Sequence, residues 1–178
     1  MKKLALILSI LFFQMNISAQ SIFDKYEDFD DVSSIVATDE MFKLLKEIQP
    51  ESAEAKDEIS VLSELTGLKV FSTENEKIGL EMKKDADSYI QQKNMSELLR
   101  INDNGAKIKF YIIKSTEAHK AKELIMFLTK KENDKTKTVV MLVTGDIDLK
   151  KLSKLNKKVK MIDVKYLKEV EENEQKKG

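Results

Sequence analysis

One histidine, no cysteine and 31 acidic side chains bound the chemistry open to this chain. Metal motifs built on paired histidines are ruled out, and so is a thiolate zinc site. A serine-histidine-aspartate centre would have to use His119, and the sequence holds no Gly-x-Ser-x-Gly elbow. His119 lies in the polar stretch STEAHKAKE and reads as part of a solvated connector rather than a general base. The acids of DKYEDFDD, Asp24, Asp28, Asp30 and Asp31, resemble a cation site only in number. A calcium loop also needs a bracing glycine and a distal bidentate glutamate, so a solvated charge run is the simpler reading. NDNGAK has some calcium-loop character, but Arg100 stands where such a loop needs an acid. Asp85 and Asp87, two apart on a helix, face different sides, which argues against a paired-carboxylate glycosidase centre there.

The stretch TVVMLVTGDIDLKKL, residues 138–152, runs from an apolar strand into Gly145 and could suggest a phosphate loop. One glycine lacks the run of free N–H groups that cradles phosphate, and no Gly-Lys-Ser/Thr is present after it. Gly145 is expected to let the chain turn, with Asp146 or Asp148 capping a helix in DLKKLSKL. No catalytic or cofactor-binding constellation emerges. The chain reads as a non-enzyme without a cofactor or metal, and a hydrolase using carboxylates distant in sequence is the enzymatic alternative.

Periodicity supplies the elements that would position these residues. Residues 20–31 form an acidic lead-in with Phe23, Tyr26 and Phe29 three apart, so one helical turn sets the rings on one face. VSSIVAT (residues 32–38) reads as a short strand, and Thr38 or Asp39 can cap the next element. In that element Met41, Leu44, Leu45 and Ile48 have helical spacing before Pro50. A second helix over residues 53–65 is predicted to bury Ile59, Leu62 and Leu65 and to end at Gly67 as its C-cap. The strand LKVFST precedes the clearest helix, residues 76–92, whose stripe is Ile78, Met82, Ala86, Tyr89 and Ile90. MSELLRI, AKIKFYIIKS, ELIMFLTKK and TKTVVMLVT then read as a four-strand antiparallel meander. Asn104-Gly105 supplies its tight turn, and residues 132–135 play the same part between the last two strands.

The central strands are apolar on both faces. Leu124, Met126 and Leu128 oppose Ile125 and Phe127, while Val139, Met141 and Val143 oppose Val140 and Leu142. Such strands are covered on both sides, by helices on one face and the tail helix or aromatic lead-in on the other, or one face meets a partner. Ile125, Phe127, Val140 and Leu142 are therefore the candidate interaction surface, and a homodimer is one way to cover it.

The first 19 residues place Lys2 and Lys3 before an apolar run at 4–13 and end in small residues, the order of a secretory leader cleaved after Ala19. The run is too short to span a bilayer, and no later segment is apolar enough to do so. Without residues 1–19, 29 of the 31 basic and all 31 acidic residues remain, a net charge near −2. That balance gives no field drawing the chain onto nucleic acid. Beyond residue 150, Val159, Ile162, Tyr166 and Val170 suggest a last helix, and the Lys157, Lys158 and Lys160 cluster reads as a solvated face. The predicted organisation is a leader (1–19), the lead-in (20–31), one α+β domain (32–156) and a charged C-terminal helix or tail (157–178).

A leader ending in Ser-Ala-Gln, the strand VSSIVAT, helices leading to GLKVFST, and SELLRINDNGAKIKFYIIKS with two further strands after it resemble the exported Bacteroidetes domain-of-unknown-function family 4252. The resemblance implies an α+β domain in the periplasm or at the cell envelope, with no established activity, cofactor or site residues. Many members look like lipoproteins, and this chain departs from them in lacking the acylated cysteine. Members also sit near genes for envelope-stress sigma factors. The expectation is a single α+β domain with a mainly antiparallel sheet and helices packed on one face. Its expected role is that of an exported, noncatalytic, soluble protein that binds another envelope protein, with a periplasmic small-molecule or lipid carrier as the alternative.

Overall fold

The computed structural model describes residues 21–132 and 134–151. The leader at 1–19 and the tail at 157–178 lie outside the described residues. A 3-10 turn, Asp24–Asp28, opens the fold, and after it come β1 (Ser33–Ala37), α1 (Asp39–Glu47), α2 (Ala53–Leu62) and β2 (Leu65–Thr73). Next are α3 (Glu76–Gln92), β3 (Ser96–Asp103), β4 (Ala106–Lys114), β5 (Lys120–Glu132) and β6 (Lys135–Asp148). The strands form one antiparallel sheet in the order β1-β2-β6-β5-β4-β3. The meander is therefore as the sequence indicates, and β1 and β2 widen it on the β6 side.

Local chemistry starts and stops these elements. Asn75 caps α3 by accepting N–H bonds from Lys77 and Ile78, and Ser52 caps α2 by accepting from Ala55. Asn104 and Gly105 take φ of 42° and 81°, the left-handed pair that a two-residue hairpin demands. Two expected boundaries move. β2 starts at Leu65 and runs through Gly67 at a bulge, so Gly67 is a strand residue and not a helix cap. Of the stripe assigned to α2, Leu62 is exposed, Ile59 is half-buried and Leu65 belongs to the strand.

Helices stand on both faces of the sheet rather than on one. On the first face Met82 and Ala86 of α3 pack with Phe71, Ile125, Val140 and Leu142, and Phe23 and Tyr26 from the 3-10 turn complete the layer. A spacing of three suits a 3-10 turn, which returns every third side chain to one side. Both rings are fully buried. On the opposite face Phe42 of α1 packs with Ala37, Leu65, Ile112, Leu124, Val143 and Ile147. The alternation along β6 makes the division plain, since Leu142 lies in one layer and Val143 in the other.

Candidate functional site

The residues singled out for chemistry do not converge. His119 lies in the β4–β5 connector, with its Nε2 3.9 Å from Asp148 Oδ2. Asp148, not Asp146, is the cap, its Oδ1 accepting from Lys150 and Lys151 N–H at 2.9 and 3.1 Å. The Lys151 N–H foremost, then that of Lys150 and the His119 charge, hold the Asp148 carboxyl below the usual aspartate range. Asp146 instead meets Lys120 at 2.7 Å. Gly145 does not turn the chain. At φ 135° it stays in β6, where a Cβ would lie 2.6 Å from the Glu64 carbonyl oxygen, so its lack of a side chain lets β2 begin alongside.

The acidic lead-in is a strap. Asp24 pairs with Lys69 of β2, Asp31 Oδ2 accepts from the Asn75 amide at 2.8 Å, and the Asp31 carbonyl accepts from Thr73 Oγ1 at 2.7 Å. The Tyr26 hydroxyl donates to Asp85 Oδ2 at 2.6 Å, and Lys25 bridges Asp85 and Glu81 at 2.8 and 2.7 Å. Asp87 turns instead to Lys83, so the two α3 aspartates do serve different partners. Tyr89 of α3 donates to the buried Glu123 of β5, which Lys93 approaches to 3.6 Å. Burial, then the carboxylate each one meets, pushes the Tyr26 and Tyr89 phenols upward, so both remain donors rather than nucleophiles. Among the described residues no group of three or more His, Cys, Asp or Glu side chains could hold a metal ion. The arrangement fastens the strap to the sheet and to α3.

The interaction surface expected at Ile125, Phe127, Val140 and Leu142 is a correction. Ile125 and Val140 are 0% exposed, Leu142 5%, and Phe127 packs half-buried against the same layer under α3 and the strap. Exposed apolar side chains collect elsewhere. Of the eight large ones among the described residues, five fall within residues 35–48: Ile35, Val36, Met41, Leu44 and Ile48. Ile35 and Val36 lie on β1, an edge strand, and no described element but β2 shares backbone hydrogen bonds with residues 33–37. Met41, Leu44 and Ile48 mark the face of α1 and its C-cap turned away from Phe42. Sequence reasoning gave Met41, Leu44, Leu45 and Ile48 helical spacing without fixing which of them meets the sheet, and of the four Leu45 packs against the Phe42 layer. The signal it passed over is that Phe42 already supplies the inward contact, leaving apolar residues around too much of the helix for one sheet face.

These observations define a single-domain α+β protein built on one six-stranded antiparallel sheet, with an exposed apolar face on α1 and, among the described residues, an edge strand paired only with β2. Residues 26–155 match the family described as Domain of unknown function (DUF4252), and the chain belongs to that family. It matches no curated protein and no solved structure. No helix among the described residues is long and apolar enough to cross a membrane.

Proposed function

We propose that this protein is an exported, noncatalytic module of the cell envelope that acts by binding another protein through β1 and α1. The observation that carries the reading is the concentration of exposed apolar side chains on residues 35–48, which include a strand that among the described residues pairs only with β2. An open edge offers main-chain hydrogen bonds, and an adjacent apolar helix face offers area, the pairing used in strand-addition recognition. The leader-like order of residues 1–19 supports export, and family resemblance supports an envelope setting with a role in stress sensing. Phe23, Tyr26, Phe71 and Met82 fill the space between α3 and the sheet, which favours surface binding over carriage of a ligand there.

A crosslinked pull-down of tagged protein from its native envelope tests the reading. The expected result is a stoichiometric protein partner that Leu44→Glu removes while circular dichroism is unchanged. Retention of every captured protein by Leu44→Glu would put the function elsewhere on the molecule.

A further inference from the structure

We propose that a second copy of this chain pairs with β1 across a two-fold axis normal to the sheet, joining two six-stranded sheets into one. The inference rests on reading β1 and α1 as a binding surface, and it names the occupant. The two edges of the sheet are unlike. The outer strand β3 carries Glu97, Arg100 and Asp103, is bulged between Glu97 and Leu99, and holds a forked Glu97–Arg100 pair at 2.7 and 3.1 Å. Charges and bulges of this kind keep an edge from recruiting another strand. Residues 32–38, VSSIVAT, contain no charge and no proline, and β1 pairs with β2 in unbroken register.

The β1 sequence also fits itself. An antiparallel pairing centred on Ile35 sets Ser33 opposite Ala37 and Ser34 opposite Val36, so every opposed pair is neutral and small or β-branched. Ile35, 62% exposed in the single chain, meets its own copy at the axis. An axis normal to the sheet leaves both α1 helices on the same side and reverses their directions. A five-residue strand is a small contact against the ~800 Å² per partner of a stable interface, so the pair is expected to be weak and concentration-dependent.

The absence of cysteine makes the test direct. The full chain, expressed with residues 1–19 in place and isolated as the host delivers it, is weighed by sedimentation velocity and light scattering, where a dimer is expected. Opposed Cα atoms in an antiparallel pair lie about 4.5–5.5 Å apart, within disulfide reach, so Ile35→Cys should oxidise to a covalent dimer. Leu98→Cys on the other edge should not. Ile35→Asp places like charges at the axis and should weaken dimerisation by at least about 100-fold with the circular dichroism spectrum unchanged. Should Ile35→Asp fail to fold, the Ile35→Cys crosslink with a native circular dichroism spectrum carries the test. A monomer at all concentrations, or a dimer indifferent to both Ile35 variants, overturns the pairing. Capture of another protein that is lost in Leu44→Glu would then leave the broader binding reading standing.

Discussion

Two regions of this molecule carry large apolar side chains and place them differently. Residues 124–128 and 139–143 lie in the middle of the sheet with a layer on each face, whereas residues 35–48 run from the edge strand into α1 with five of their eight apolar side chains exposed. The contrast teaches that apolar content reports a demand for cover, and that sheet position decides whether the chain meets the demand itself. Central strands satisfied on both sides are structural. An edge strand and a helix face left exposed among the described residues are where the proposed partner would gain cover.

The sharpest way to break the comparison is to charge each stretch in turn. Val140→Asp buries an unpaired carboxylate in a layer with no exposure and should cost about 4 kcal/mol or more, seen as loss of cooperative melting. Ile35→Asp, compared with the parent at dilutions where both are monomeric, should stay within about 0.5 kcal/mol, and a loss comparable to that of Val140→Asp would erase the distinction. A smaller loss, about 3 kcal/mol in denaturant titration, is expected for Phe23→Ala, because its ring stacks on Phe71 and contacts Tyr89 with no exposure. Asp148→Ala should cost about 1 kcal/mol through the lost cap. Because the folded carboxyl titrates below its ordinary value, that contribution is present above the unfolded pKa of 3.8 and is lost as pH falls through the lowered folded value. The variant should therefore show a flatter decline in stability at acid pH. Leu44→Glu is the smallest perturbation, within about 0.5 kcal/mol, and separates binding from stability.

Much of the fold was legible because local rules and tertiary packing agree there. The stripe through Ile78, Met82 and Ala86 predicts α3 to the residue, and Asn104-Gly105 places the β3–β4 turn. Gly67 misled because a glycine after an apolar periodic run suits a bulge as well as a helix cap, and only the pairing with β6 distinguishes them. The site was less legible for a related reason. Periodicity tells which residues share a stripe, but which stripe of α1 turns to the sheet is set by the β1 connection and by Phe42. Nothing in Ile125 or Val140 alone records that a strap from residues 21–31 lies over them.

The ladder between β2 and β6 has a kinetic consequence. It joins residues 65–73 to residues 138–145 with three strands of the meander between them in sequence, whereas β3 to β6 close through short hairpins. Loop-closure entropy sets the long pairing late in folding, after the local hairpins. β1 is held in the sheet by β2 alone, so the open edge is displayed only when the last ladder has formed. A chain still being synthesised has no such edge to offer until folding is complete.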